Sequence, residues 1–517
     1  MVGSRGTLAY AIYGGQFATL IEHFAPHQAI TLGGLRPDLP NEVSVTTKRK
    51  LNGAQESEVV ARTSDYFVFR PGEPALALVD YDTKGMPPGV AERIKKLGGL
   101  LPALASVLPG LASAARVERG STSAGLYRTD TGAKLAGSSG LHLFLGVQDG
   151  SDVERFLKTL HARCWLAGLG WLMVGVGGQL LERSIVDRVV GTPERLVFEG
   201  APVVDPPLAQ DEESRRPAVS EGGALNTPFA CPPLTILEQA MLRELRAKEA
   251  ARLAPDSAKA RKTFIAQQTQ HLVDRTGMAR DDATRVIERQ CAGILLPDVV
   301  LPFDDEDLAG ATVGDVLADP TRFEDATLAD PIEGVGYGAG KAKIMRRADG
   351  TFWINSFAHG RTVYELRFDY RAAEDALNKS QPDQAADLFV RLVLAGDLGE
   401  DAIERLRNIA SKISGAGRRS LDAKLKRARQ ERAATIACEE SERRFAERRD
   451  PRPQIPLPPP DAEWLPQMRV LNDVLGTSRA PEPPMRNVDT FVAELRSKSI
   501  PSLHLLTTRG VNRDEPK

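Results

Sequence analysis

Residues 72–82 read GEPALALVDYD, an apolar run that is entered through proline and glycine and ends in two aspartates. A short run of this kind, bounded by turn residues, predicts a buried β-strand. Successive side chains of a strand point to opposite faces, so Asp80 and Asp82 share one face. The pattern predicts paired carboxylates at the end of a buried strand, although a solvated strand end is the alternative.

A second apolar run, LHLFLGV at residues 141–147, carries His142 and follows the small residues GSSG at 137–140. A loop of this composition can approach phosphates through backbone N–H groups and hydroxyls, and the histidine can donate to a triphosphate oxygen. The alternative is a half-buried strand histidine that binds no ligand. Helical patterns lie between and after the two strands, which indicates an α/β or α+β domain.

The segment LERSIVDRVVGTPERLVFEG at residues 181–200 places Asp187 after an apolar Ile-Val pair. Asp187 is a candidate third metal carboxylate, or else an ion-pair partner of Arg183 or Arg188. Shared carboxylates are the ligands that a pair of Mg²⁺ ions needs to promote in-line phosphoryl transfer. The segment alone leaves both interpretations open.

In this order, ALALVDYD, SSGLH and SIVD resemble the signature of the archaeo-eukaryotic primase superfamily. The phrase VDRVVGTPERLVFEG also resembles bifunctional primase-polymerase proteins of phages, plasmids and integrated elements. The resemblance covers residues 31–202 and implies an α+β catalytic core with an RRM-like sheet. It further implies that Asp80, Asp82 and Asp187 bind Mg²⁺ or Mn²⁺ and act in catalysis.

The same resemblance implies the partners of the site. Ser138, Ser139 and His142 would hold a nucleoside triphosphate, and Arg183 is a further candidate for nucleotide binding. The implied function is DNA primase and/or DNA polymerase activity on a single-stranded DNA template, in replication of a mobile element. A separate helicase is the implied partner for unwinding, because the chain carries no helicase motor motif.

Composition divides the chain into regions. A polar, proline-bearing stretch with DEESRR and SEGG indicates a linker, and stretches rich in Ala, Glu, Arg and Leu indicate helices. The expected order is a catalytic domain (1–205), a linker (206–234), a helical accessory region (235–330), a small β unit (331–370), a helical region (371–450) and a proline-rich, partly disordered tail (451–517).

Three short strands are expected in the β unit, between Lys341 and Asp369, joined by turns at residues 348–350 and 359–360. This unit interleaves aromatic residues with four candidate nucleic-acid-binding side chains: Lys341, Lys343, Arg346 and Arg347. Phosphates would contact the basic residues and bases would stack on the rings. The alternative is a small aromatic core with a solvated, charged edge strand.

The glycine-rich segment GVGYGAGK at residues 334–341 is not a P-loop. Val335 occupies the place of the first glycine in G-x-x-x-x-G-K-[ST], and Ala342 follows the lysine where Ser or Thr is required. A strand rather than a helix is expected next, so an ATPase site is not predicted here.

Charge and cysteine content set limits on function. The net charge is −2, so nucleic acid would have to contact local basic patches. The cysteines include no CxxC pair, which argues against a zinc ribbon and a disulfide scaffold. No apolar run reaches the ~20 residues of a transmembrane helix, and a cytoplasmic protein without a membrane partner is expected.

Two other functions use the same residues. A catalytically weak, primase-like replication or repair factor would bind single strands. It would have no physical reason to keep three mutually repelling acids together. A metal-dependent nuclease would use the same carboxylates with water as the nucleophile.

Overall fold

The computed structural model of the protein describes residues 4–7, 14–48, 51, 58–83, 85–135, 139–347, 351–358 and 363–447. These residues mix helices and sheets, as the α+β expectation requires. The helices up to residue 230 are α1 (Gly15–Glu22), α2 (Pro88–Lys96), α3 (Leu100–Ala105), α4 (Val153–Leu166) and α5 (Thr227–Ala230). The strands up to residue 220 are β1 (Ser4–Thr7), β2 (Ala29–Thr31), β3 (Gly34–Leu35), β4 (Glu42–Thr46), β5 (Val59–Ala61), β6 (Phe67–Val68), β7 (Ala75–Tyr81), β8 (Arg116–Gly120), β9 (Leu126–Arg128), β10 (Leu141–Val147), β11 (Gly170–Val174), β12 (Leu180–Ser184), β13 (Leu196–Phe198), β14 (Leu208–Gln210) and β15 (Ala218–Ser220).

The central sheet of the first domain contains β15, β8, β10 and β7 in that order, with antiparallel neighbours. Both strands predicted from the apolar runs are therefore present, and they pair with each other. Leu78 of β7 and Phe144 of β10 are almost completely buried, in one core with Phe156 of α4 and Ile21 of α1. Each such side chain contributes about 1.5–3 kcal/mol through removal from water, so the core fixes this sheet firmly.

The polar segment at residues 206–234 is not the linker that its composition predicted. β14 pairs with β9, and β15 extends the central sheet by pairing with β8. Arg215 is buried and donates to the carbonyl oxygens of Ser121 and Glu199. Short extended stretches between charged residues can thus complete a sheet edge, and the first domain continues through α5.

A long helix, α6 (Ile236–Thr276), follows the first domain. The hydroxyl of Thr235 accepts from Glu238 N–H while the Glu238 carboxylate accepts from Thr235 N–H, which is a capping box. With 41 residues the helix is about 60 Å long. Leu242 packs against Trp165 of α4, so the first half of α6 lies against the first domain.

The second β domain begins earlier than the predicted unit of residues 331–370. Its elements are α7 (Arg280–Cys291), β16 (Ile294–Leu295), α8 (Val313–Ala318), α9 (Pro320–Phe323), β17 (Thr327–Leu328), β18 (Ala342–Arg346), β19 (Phe352–Ser356) and β20 (Val363–Leu366). The three predicted strands are confirmed as β18, β19 and β20, and the sheet order is β16, β20, β19, β18, β17. The predicted turns at 348–350 and 359–360 lie outside the described residues. Because β16 and β17 belong to this sheet, the region expected to be helical up to residue 330 is helical only to the end of α7 and in the short α8 and α9.

The predicted helical region of residues 371–450 is confirmed where it is described. Its helices are α10 (Tyr370–Asn378), α11 (Ala385–Ala395), α12 (Glu400–Ser414) and α13 (Arg418–Glu447). Phe389, Leu392 and Leu406 are buried in a separate core of this region. The tail of residues 451–517 lies outside the described residues. None of the described helices has the length and apolar character needed to cross a membrane.

Candidate functional site

Asp80 and His142 are direct neighbours across the central sheet. The antiparallel register of β7 and β10 places their Cα atoms opposite each other, and His142 is also opposite Arg119 of β8. His142 Nε2 lies 3.8 Å from Asp80 Oδ1. The Asp80 side chain is 28% exposed, whereas that of His142 is 11% exposed. The pairing thus puts the carboxylate at an accessible edge with the imidazole beside it.

Asp187 reaches the same place by a backbone hydrogen bond. Its N–H donates to the carbonyl oxygen of Asp80 at 3.2 Å. One carboxylate oxygen of Asp187 accepts from Val189 N–H at 2.8 Å, which orients the side chain. The segment after β12 therefore contacts β7 at Asp80, and two acids that are distant in sequence become adjacent.

The pKa of Asp80 reports on this crowding of acids. Burial raises the pKa above its ordinary value of 3.8, and the negative charges of Asp187 and Asp82 raise it further. His142 and Arg195 oppose the increase but do not cancel it. The three predicted acids are therefore electrostatically coupled, which is the condition under which a cation is attracted.

The loop before β10 is described in part. Ser139 Oγ lies 3.3 Å from Thr83 Oγ1, directly after the exposed Asp82. Of the predicted nucleotide-binding serines, Ser139 thus lies at the mouth of the site, while Ser138 lies outside the described residues.

A buried glutamate that the sequence interpretation missed supports His142. Glu199 is fully buried, and its carboxylate accepts the Nδ1–H of His142 at 2.5 Å. Its other oxygen lies 3.7 Å from Arg119 and 3.8 Å from Arg215, both also buried. An acid directly after the apolar strand β13 was the available signal, and it lies within the primase-like phrase at residues 186–200.

This arrangement sets the charge and orientation of the imidazole. Burial lowers the pKa of His142, but the hydrogen bond to Glu199 and the negative charges of Glu199 and Asp80 outweigh burial and raise the pKa above its ordinary value of 6.5. With Nδ1–H donated to Glu199, the Nε2 atom is left to face Asp80 and the open side of the site. A protonated Nε2 at this position is a donor for an anionic ligand.

Two side chains, Ser184 and His161, stabilise the turn that precedes Asp187. Ser184 Oγ donates to the carbonyl oxygen of Val186 at 2.9 Å, and His161 of α4 contacts the same oxygen at 3.0 Å. His161 Nε2 lies 3.1 Å from Glu182, which also pairs with Arg188 and with Arg246 of α6. Arg188 therefore pairs with Glu182, which argues against its role as the partner of Asp187.

Glu182 makes stability depend on pH. Although burial alone raises the pKa of Glu182, the hydrogen bond with His161 and the positive charges of Arg188 and Arg246 lower it from 4.5 to about 2. The stabilisation is present above pH 4.5 and is lost as the pH falls towards 2, and a shift of this size corresponds to roughly 3 kcal/mol. We expect Glu182→Gln to be less stable than the wild type at pH 7, with a smaller difference at pH 3.

Urea unfolding at the two pH values measures this effect. Glu92→Gln is a suitable control, because Glu92 forms an exposed i,i+4 pair with Lys96 that is worth about 0.5 kcal/mol or less. If the wild type and Glu182→Gln differ in their free energy of unfolding by the same amount at pH 7 and pH 3, the electrostatic explanation is contradicted.

The four basic candidates of the β unit differ in their charged neighbours. Lys343, Arg346 and Arg347 pair with carboxylates of their own domain, whereas the charges of Asp187 and Asp80 of the first domain act on Lys341. The pairs are Lys343 with Asp325 at 2.6 Å, Arg346 with Glu324 at 3.9 Å and Arg347 with Glu365 at 2.5 Å. The aromatic Tyr364 is fully buried. These contacts favour the alternative of a small core with a charged edge, and nucleic-acid binding by these residues stays a prediction.

The acids of the site are the candidate ligands for a divalent cation. Among the described residues, no three His, Cys, Asp or Glu side chains form a ready-made metal cluster. The carboxylates of Asp80, Asp82 and Asp187 nevertheless offer oxygen atoms and excess negative charge, as Mg²⁺ and Mn²⁺ require. The raised pKa of Asp80 means that a metal ion would bind in competition with a proton.

Comparisons of the chain with protein families, with curated proteins and with solved structures find no match. The chemistry of the site is therefore inferred from its own residues and from the motif resemblance.

Proposed function

We propose that the chain is a template-dependent nucleotidyltransferase with DNA primase and/or DNA polymerase activity. The observation that supports this most strongly is the placement of His142 and Asp187 on either side of Asp80. Three motifs from distant parts of the sequence converge there through strand pairing and one backbone hydrogen bond. A solvated DxD at a strand end does not require His142 and Asp187 as neighbours, so their presence favours a binding site.

The order of elements around the site supports a core like that of the archaeo-eukaryotic primase superfamily. β7, the helices α2 and α3, β8, β10 and α4 come in this order in the chain, with the short β9 of another sheet inserted between β8 and β10, and β10 lies between β7 and β8 in the sheet. This is the order of the first three strands in a β-α-β-β-α-β, RRM-like fold. β7 is the edge strand of this sheet, and the segment that carries Asp187 donates one backbone hydrogen bond to it at Asp80.

The proposed chemistry assigns a task to each side chain. Asp80, Asp82 and Asp187 would hold Mg²⁺ or Mn²⁺, which supplies charge neutralisation for attack of a 3′ oxygen on the α-phosphorus and departure of pyrophosphate. His142 donates from Nε2 to a triphosphate oxygen, and Glu199 keeps the imidazole in that orientation. A single-stranded DNA template and nucleoside triphosphates are the proposed substrates, with a separate helicase as the proposed partner.

Primed and unprimed single-stranded templates test the proposal. The full-length protein is incubated with labelled nucleotides and Mg²⁺ or Mn²⁺, beside Asp187→Asn and the control Glu92→Gln. We expect extended or newly primed products with the wild type and the control, and almost none with Asp187→Asn. Degraded template would indicate the nuclease instead, and template binding without product in any protein would indicate the binding factor.

A further inference from the structure

The glycine-rich segment of residues 334–341, here called the arm, is anchored at both ends. The buried carboxylate of Asp330 accepts from the N–H groups of Ile332 and Glu333, each at 2.8 Å. At the other end, Asp304 accepts from Gly340 N–H at 3.0 Å. The arm is therefore held in a defined conformation by the second β domain.

The base of the arm is docked on the first domain. Glu333 accepts from Val176 N–H at 3.2 Å, in the turn between β11 and β12. Glycines in that turn allow the close approach: a Cβ at Gly175 would lie 2.1 Å from Glu333 Oε1, and one at Gly177 would lie 2.3 Å from Ile332 Cγ2. The second β domain and the hairpin that leads to Asp187 thus fit together at this point.

The arm brings an aromatic ring and a cation next to Arg183. Arg183 Nη2 donates to the Tyr337 hydroxyl at 2.7 Å, and its guanidinium also lies 5.8 Å from the centre of that ring. Lys341 Nζ lies 5.9 Å from the same ring. Arg183 Nε is buried and has no hydrogen-bond partner among the described residues. Tyr337 therefore contacts both Arg183 and Lys341.

The charges around Lys341 act on its pKa in both directions. Burial lowers the pKa of Lys341, the positive charges of Arg195 and Arg183 lower it further, and the charges of Asp187 and Asp80 act in the opposite direction. Within the part of the chain that the structure describes, neither Lys341 nor Arg195 has a carboxylate within ion-pair distance. Lys341 and Arg183 repel each other, and the charges of Asp187 and Asp80 act on Lys341, so this place is suited to a ligand that is anionic and also carries metal.

We propose that Lys341 and Arg183 bind the triphosphate of the incoming nucleotide, so that the arm of the second β domain completes the nucleotide site of the first domain. This inference rests on the proposed function and extends it to the residues that recognise the substrate. It also gives the glycine-rich segment a role that does not require a P-loop, since side-chain charge rather than a helix N-terminus contacts the phosphates.

This inference is tested by measuring the affinity of the full-length protein for a non-hydrolysable nucleoside triphosphate. The affinity is measured by calorimetry in the presence of Mg²⁺. Lys341→Met removes the charge and keeps the apolar stem near Tyr337, and Lys341→Arg restores a cation. Lys379→Met removes an exposed lysine directly after α10 and serves as a control. We expect Lys341→Met to bind the triphosphate about tenfold more weakly or worse. Lys341→Arg is expected to recover much of the affinity, and Lys379→Met to match the wild type.

A parallel titration with the unphosphorylated nucleoside and with single-stranded DNA identifies the group that is recognised. We expect both affinities to be the same in the wild type and in Lys341→Met. Wild-type affinity of Lys341→Met for the triphosphate would overturn the inference, as would a selective loss of DNA binding, which would place template phosphates at Lys341. Triphosphate binding that depends on Lys341 in a protein that neither extends nor makes a primer would overturn the proposed function while leaving the arm as an anion site.

Discussion

Replacing Asp80 by asparagine is expected to reduce nucleotide incorporation by about a thousandfold, because several kcal/mol of metal-dependent transition-state stabilisation is lost. Asp80 is the acid on which the site converges, since it pairs with His142 across the sheet and accepts from the backbone of Asp187. Asparagine keeps the shape of the side chain and removes its charge. Primer extension under single-turnover conditions measures the loss.

The same substitution is expected to stabilise the protein when no divalent cation is present. Because burial and the neighbouring acids raise the pKa of Asp80, its ionisation opposes folding. The penalty is absent below the ordinary value of 3.8, grows as the pH rises, and is complete above the raised folded-state pKa. We therefore expect Asp80→Asn to have a higher Tm than the wild type at pH 7 in EDTA, and a similar Tm at pH 3.5.

Addition of Mg²⁺ separates this effect from general stabilisation. We expect metal binding to raise the Tm of the wild type and not that of Asp80→Asn. The Tm advantage of Asp80→Asn over the wild type in EDTA would then become smaller or reverse. Glu92→Gln serves again as the control for loss of one carboxylate. A variant that is less stable than the wild type in EDTA at pH 7 would show that Asp80 is not under electrostatic repulsion.

The largest loss of stability is expected for Glu199→Ala. Its carboxylate is fully buried and lies between the side chains of Arg119, Arg215 and His142. Removal of one partner from a buried ionic cluster leaves the remaining charges without compensation, which typically costs about 3–5 kcal/mol. Urea unfolding at pH 7 measures the change in the free energy of unfolding.

Glu199→Gln separates the effect of the Glu199 charge on His142 from the effect of the volume of the Glu199 side chain. The amide retains the volume and an acceptor for His142 Nδ1–H but removes the charge that raises the pKa of His142. We expect this variant to fold more stably than Glu199→Ala and to show a lower pKa for the His142 imidazole, measured by NMR titration. A His142 pKa that is unchanged in Glu199→Gln would contradict the assignment of Glu199 as the residue that sets its charge.

Part of the site was predictable from local patterns. The apolar runs that contain Asp80 and His142 predicted β7 and β10 correctly, because alternation and turn residues act within a few residues of sequence. Convergence of Asp187 was expected only from the motif resemblance. The register that places His142 opposite Asp80 depends on long-range strand pairing, which no local pattern encodes.

The parts that sequence patterns missed depend on tertiary packing. In the sequence, Glu199 has the pattern of a surface acid that follows a short strand. Its burial and its ionic contacts depend on Arg119 and Arg215, which are distant in sequence. The sequence pattern groups Lys341 with Lys343, Arg346 and Arg347, yet in the fold Lys341 is the one of these on which the charges of Asp187 and Asp80 act. The polar composition of residues 206–234 predicted a linker because short edge strands carry few apolar residues.

The most direct measurement of the central claim follows two products of one reaction on a primed single-stranded template. Incorporated nucleotide and released pyrophosphate are quantified together, with Mg²⁺ or Mn²⁺ and with EDTA. We predict one pyrophosphate for each nucleotide added, and neither product in EDTA or with Asp80→Asn. Template fragments without extension, or products that persist in Asp80→Asn, would contradict nucleotidyl transfer at this site.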